Sequence, residues 1–322
     1  MRAATIASAL IGALGVLLTP TQANAARNCT AEETRTADAA LVAFSEPANH
    51  ALQDESVARH LPWGRPTPTS ERPNEMPLNQ EDYVASYDTN LRVPIWSAER
   101  IDASRLTGGR VDCMRTDPRL EPDQASGNSD YAEPVYDLGH LTPSADQVSS
   151  VTAVVNTFVI SNMTPQTCPF NEGIWQILEG ISRLWANPRQ RTYVLNGVVF
   201  DWDNDGLPDP PEDAPRMRSN NGNARVAVPS HFYKIVAFRR TNGTIETISI
   251  MMPNDFTMLS GPAARTYLRQ HITTIATIER ATGLRLFPDA AERPLETRRL
   301  WSFTGTMPRN LCRRPNRPER FP

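Results

Sequence analysis

Lysine is almost missing from this chain: Lys234 is the single lysine among 33 basic residues in a sequence of 322. Where arginine is favoured so strongly, a lysine is expected to persist at a position that needs a compact ammonium and has no room for a planar guanidinium. Long apolar runs are missing too. The N-terminal run from Ala9 to Leu18 falls well short of the roughly 20 residues that span a bilayer, and no later segment approaches that length. This argues against a membrane-spanning protein. There is no excess of positive charge either, the formal net charge being −3, so any affinity for polyanions must come from local patches. Cysteine is scarce, and no C-x-x-C pair suggests a zinc site.

What is present begins with an address. Arg2, the short apolar core and Ala23-Asn24-Ala25 predict a secretory signal peptide over residues 1–25, cleaved near Ala25, and hence a secreted or periplasmic protein. The four cysteines of an exported chain, Cys29, Cys113, Cys168 and Cys312, read as two disulfides. Three pairings are open. The expectation is Cys29 with Cys312, tying the termini, and Cys113 with Cys168. An N-terminal extension with a Pro-rich lead-in is expected over 26–80, a main domain over 81–290 and an Arg/Pro-rich tail over 291–322.

Within the main domain, Tyr83, Val84, Tyr87, a turn at Asp88–Asn90, then Val93, Ile95 and Trp96 form a hairpin pattern. A polar loop should run from Ala103 to Glu133, pinned by Cys113. The apolar, β-branched stretch SVTAVVNTFVISN reads as a buried strand, and Ile174, Ile177, Leu178, Ile181, Leu184 and Trp185 recur at helical spacing up to Pro188. Strands and helices follow without regular alternation. An α+β fold on a mainly antiparallel sheet is therefore expected.

The chemistry gathers around YDLGHLTP, residues 136–143. His140 alone would be an ordinary turn histidine, but Asn162 closes the stretch after it, Asn171 opens the next helix and Glu179 lies two turns on. Spacings of four and eight keep Asn171, Trp175 and Glu179 within about 80° of one helix face. A neutral imidazole can take a proton from water, and an amide oxygen suits a hard cation such as Mg²⁺ or Mn²⁺. A carboxylate can order that ion's waters. The set suits phosphodiester hydrolysis.

YDLGHLTPSAD and SNMTPQTCPFNEGIWQILE, at this separation, resemble the metal-dependent DNA/RNA non-specific endonucleases of the ββα-metal fold, with weaker echoes in VPIWSAERI and VAVPSHFYKIVAF. The resemblance runs from Tyr83 to about Pro288 and implies DNA and RNA as substrates. By position it implies His140 as general base, Asn171 as the Mg²⁺ ligand and Asn162 near the scissile phosphate. It further implies Glu179 as organiser of the metal's water, Arg100 as a phosphate contact and Lys234 in a substrate-binding segment. One departure is plain. The family's motif is Asp-Arg-Gly-His, and Leu138 stands at the arginine position. Losing such a donor costs about 10²–10³ in rate unless another cation replaces it. Arg110 and Arg115 are the candidates.

A second motif, DWDNDGLPDPPE, matches a calcium-loop pattern with Asp201, Asp203, Asp205, Asp209 and Glu212 as ligands, while Pro208, Pro210 and Pro211 forbid the exit helix of an EF-hand. Structural Ca²⁺ is the expectation there. Two other functions compete with the nuclease reading: a weakened relative that only binds polyanions or calcium, and a phosphodiesterase acting on a non-nucleic substrate.

Overall fold

The computed structural model describes residues 27–106, 108–186, 191–219, 222, 225–302 and 309–313. The expected signal peptide lies outside them. Helix α1, Ala31–Ser45, starts at Thr30, whose hydroxyl accepts from the Glu33 amide while the Glu33 carboxylate accepts from the Thr30 amide. This reciprocal cap satisfies two of the amides that a helix start leaves unpaired. Helix α2, His50–His60, follows and packs on the sheet.

Among the described residues the central sheet has eight strands. Its path runs Ile272–Thr273, Ile245–Pro253, His231–Arg239, Thr192–Val199, Val93–Ile101, Val84–Asp88 and Glu75–Pro77, all antiparallel, and Leu295–Glu296 adds a parallel partner to Ile245–Pro253. Glu75–Pro77 precedes residue 81 and Leu295–Glu296 follows residue 290, so the sheet draws on chain from both sides of the expected boundaries. Alternation along the central strands sorts their side chains into two faces. Tyr193, Leu195, Ile235 and Ala237 share one face with Trp63 and Phe287. Ser97, Asn196 and Lys234 lie in one row on the other.

That second face is covered by a smaller unit. Tyr136–His140 pairs antiparallel with Met163–Thr167, and the chain then turns through Phe170–Trp175 into helix α4, Gln176–Trp185. The expected strand over 150–162 is instead helix α3, Val151–Asn156, and a single turn at Ile160–Asn162. Ser150 caps α3 by accepting from the Ala153 amide, and Val154, Val155 and Phe158 pack with Ala37 of α1 and Val111. Burial of that apolar face outweighs the weak β preference of valine.

The disulfides also differ from expectation, joining Cys29 to Cys113 and Cys168 to Cys312. Arg27–Asn28 pairs with Val111–Asp112, and the Cys29 amide donates to Asp112 O, which brings the first two cysteines side by side. The C-terminal segment lies against the start of the Phe170 turn, with Leu311 N donating to Glu172 O and Asn310 Nδ2 to Pro169 O. It is thus tied to the site rather than to the other terminus. The long loop is pinned as expected by Cys113, and also by a buried Arg119–Asp117 pair at 2.6 Å. Among the described residues no helix is long and apolar enough to cross a membrane.

His60, at the end of α2, is 4% exposed and uses both ring nitrogens: Nδ1 accepts from the Arg100 amide at 3.0 Å, and Nε2 donates to Glu81 O at 2.9 Å. Burial holds its pKa down to about 4 from 6.5. The unfolded chain therefore takes the proton first, so this contribution to stability is complete above about pH 6.5 and is lost as the pH falls towards 4. Urea unfolding of His60→Gln from pH 4 to 6.5 should give a stability that depends on pH less steeply than wild type, by about 1 kcal/mol per pH unit. An unchanged slope would remove His60 as the cause.

Candidate active site

The histidine strand and the helix that follows it are pinned at two points. Asn171 Nδ2 donates to Asp137 Oδ2 at 3.1 Å, and Trp175 Nε1 donates to the His140 carbonyl at 3.4 Å. Gly139 between them is required by close approach: a Cβ there would lie 2.2 Å from Cδ of the buried Gln166. Gly173 is similar, since its Cβ would stand 2.0 Å from Asn310 Nδ2. Its backbone, at φ −126° and ψ −108°, is not helical, so Asn171 and Glu179 do not share one continuous helix as their spacing suggests.

His140 packs edge-on against Phe158, with ring centroids 4.6 Å apart, and its Nε2 is buried without a hydrogen-bond partner among the described residues. Burial first, and the Arg110 charge second, hold the imidazole down to about 3. It is neutral at physiological pH, the state that accepts a proton. Arg110 lies over the same Phe158 ring, 5.1 Å from its centroid, and its charge also acts on Glu179. Its Nε is bonded to Asp112 Oδ1 at 2.5 Å. Arg115 is committed elsewhere: it pairs with Asp38 and donates to Val155 O and Asn156 Oδ1. Of the two candidate replacements for the missing arginine, only Arg110 reaches the histidine.

Beneath this surface lies a buried charge cluster. Lys234 is 1% exposed; its ammonium sits 4.6 Å from the centroid of the Trp175 ring and donates to Asn196 Oδ1. Burial lowers its pKa, and Glu179, Glu99 and Asp146 oppose that shift. Burial pushes Glu179 up to about 7, against the pull of Lys234 and Arg183. Glu99, fully buried, accepts from Gln147 Nε2 at 2.7 Å, and its pKa is raised well above the usual carboxylate range by burial and by Asp146. Arg183 pairs with Asp146 at 2.6 Å.

His140, Asn171 and Glu179 are thus assembled by the strand, the turn and α4. The other expected residues are not at this surface. Asn162 is 1% exposed and spends its amide on backbone, accepting from Thr142 N at 3.0 Å and donating to Thr142 O and Thr157 O. It shapes the turn after His140. Arg100 leaves the sheet on the face opposite Glu99, in a recess with Arg59, Asp82 and Arg105 that also reaches Asp146 and Gln147 at the edge of the charge cluster. Lys234 is buried below, with Glu179, Glu99 and Asp146 as its counter-charges. In the acidic loop, the carboxylates of Asp201, Asp203 and Asp209 approach within 4.8 Å of one another; Asp205 and Glu212 are outside that group.

Three residues escaped the sequence reading. Asp137 and Glu172 flank Asn171, with carboxylate oxygens within 4.8 Å of each other, and Cys168 beside them is held in its disulfide. The donors left are all hard oxygens, which fits Mg²⁺ or Mn²⁺ better than zinc. The third is Glu99. Its signal was an acid in a strand that is apolar apart from Ser97, Glu99 and Arg100.

Lys234→Met keeps the length of the side chain and removes the charge that faces Glu99 and Glu179. Urea unfolding at pH 7 should reveal a loss of about 3 kcal/mol, because truncating one partner strands the other buried charges. A loss under about 1 kcal/mol would mean that the carboxylates are neutral without it.

The family model described as DNA/RNA non-specific endonuclease matches residues 66–293. Mitochondrial endonuclease G of Homo sapiens is 32% identical over 220 residues, covering 67% of this chain and 70% of that protein. Nuclease C1 of Cunninghamella echinulata var. echinulata is 32% identical over 219 residues, covering 65% and 82%. A chain in the crystal structure of the EndoG/EndoGI complex superposes with a TM-score of 0.60 at 26% identity, covering 73% of this chain and 92% of that one. With a family model matched over most of its length and a solved relative superposing on its sheet and helices, this nuclease chain belongs to the DNA/RNA non-specific endonuclease family and carries its ββα-metal fold.

Proposed function

We propose that the protein is an exported, divalent-cation-dependent endonuclease that hydrolyses DNA and RNA with little sequence preference, using His140 as the general base. The observation that carries this reading is the Nε2 atom of His140, buried, neutral and without a partner among the described residues, with the Arg110 guanidinium over the Phe158 ring that packs against it. His140 takes a proton from the attacking water, whose oxygen forms the new bond to phosphorus as the bond to the 3′ oxygen breaks. The leaving oxygen is protonated from solvent. A phosphate held against Arg110 offsets the positive charge that depresses His140, so substrate itself raises the basicity of the imidazole.

Asn171, Asp137 and Glu172 would hold a hydrated Mg²⁺ or Mn²⁺, with Glu179 ordering its water. Such an ion supplies charge for the phosphate and the departing oxygen. Arg110 stands in for the cation that Leu138 cannot supply, and its exposed side chain can bind a phosphate that approaches from solvent. Two disulfides fit an oxidising compartment and support export.

Supercoiled plasmid and single-stranded RNA, each incubated with Mg²⁺ or with EDTA, test the proposal. Wild type should degrade both only with the metal, and His140→Ala should lower kcat/KM by about 10²–10⁴. No metal-dependent cleavage, with nucleic acid still bound, would make the chain a binding protein. Turnover of a small phosphodiester but not of plasmid would give it another substrate.

Arg110→Ala should reduce plasmid cleavage by about 10²–10³. Introducing Leu138→Arg into that variant should restore part of the loss. Equal activity of Arg110→Ala and wild type would leave the cation unassigned to this residue.

A further inference from the structure

The acidic loop is not explained by nuclease chemistry. It leaves the central strand Thr192–Val199 and is anchored at its base, where the Asp201 amide donates to Ser230 Oγ at 2.9 Å and Trp202 Nε1 donates to Val228 O at 3.0 Å. Ser230 directly precedes the strand that carries Lys234, so the loop buttresses the ends of the two strands that hold Asn196 and Lys234.

The interior of the loop is built from acid oxygens. Asp201 Oδ2 accepts from Gly206 N at 3.1 Å, Asp203 Oδ1 from Asp205 N at 3.2 Å, and Asp209 Oδ2 from Trp202 N at 2.7 Å. These bonds curl the chain so that the three carboxylates come within 4.8 Å of one another. An independent observation concerns Asp201 alone. The residue is 6% exposed, and its second oxygen, Oδ1, is buried with no hydrogen-bond partner among the described residues. A buried carboxylate oxygen left unpaired is costly, and here the surrounding charges of Asp205, Asp209 and Asp203 are all of its own sign. A cation removes both penalties at once.

We infer that Asp201, Asp203 and Asp209 form a calcium site, separate from the nuclease centre, that stabilises the fold. Oxygens bound to one calcium at ~2.4 Å lie at most ~4.8 Å apart, so the three groups can share one ion. Asp203 is exposed and Asp209 half-buried, which leaves one side of the ion to water, as calcium's six to eight oxygen ligands require. Asp205 lies outside that group of mutually close carboxylates and is not a direct ligand. Affinity of about 10⁻⁴–10⁻³ M is expected, in the range of extracellular modules.

Terbium is the first probe, because Trp202 adjoins Asp201 and can sensitise its luminescence. The full-length protein should bind Tb³⁺ saturably and release it to millimolar CaCl₂. Asp201→Asn and the more exposed Asp203→Asn should each weaken binding at least tenfold, and Asn171→Ala should leave it intact. Calcium at tenfold its Kd should raise the wild-type Tm by about 3 °C and that of Asp203→Asn by less than 1 °C. Should Asp201→Asn fail to fold, Asp203→Asn carries the test alone. Terbium binding that Asn171→Ala removes, or that survives both aspartate substitutions, overturns the inference.

Discussion

One ammonium group, in the only lysine of the chain, holds the central sheet to the smaller unit that covers one of its faces. Lys234 comes from the middle of a central strand, faces Glu99 from one neighbouring segment and Glu179 from helix α4, and supports the face of Trp175. Trp175 in turn donates to the carbonyl of His140. The cation thus joins the sheet, the helix and the histidine strand through contacts that are buried or half-buried. Coulombic forces are strongest there, and so is the cost of breaking them. A guanidinium would need more donors satisfied and more width than a site filled by Asn196 and an indole ring offers. That accounts for a lysine in a chain that otherwise uses arginine.

The same burial sets opposite protonation states in neighbouring groups. Desolvation disfavours charge of either sign, so it drives His140 down to about 3 and Glu179 up to about 7. The histidine has no carboxylate to pull it back and feels Arg110 instead. Glu179 is pulled back by Lys234 and Arg183. A neutral base and an acid poised near neutrality then lie within reach of one guanidinium, that of Arg110, whose position over Phe158 comes from a loop far from the helix in sequence.

Much of this was legible in order but not in place. The helix ending at Trp185 followed from periodicity, because it buries one side, and the hairpin of Val84–Asp88 and Val93–Ile101 followed from two apolar runs around a turn, both strands being buried almost throughout. The stretch after His140 misled. Its valines carry a local β preference of tenths of a kcal/mol, whereas packing against α1 and Phe158 is a property of the assembled core. Arg100 shows the same limit differently: one residue along a strand is the difference between two faces, and Glu99, not Arg100, shares the face of Asn196 and Lys234.

The sequence by itself determined the chemistry on offer: a histidine, an amide and a carboxylate in an order that suits a hydrated metal and a phosphodiester, with a leucine where a cation is usual. It determined the family as well, since motif spacing survives when the surroundings change. Only the tertiary structure decided which arginine lies over the ring packed against His140, which cysteines meet, and that Lys234 is buried under Trp175. Each of these depends on residues tens of positions apart entering one low-dielectric volume, and neither periodicity nor spacing along the chain encodes that distance.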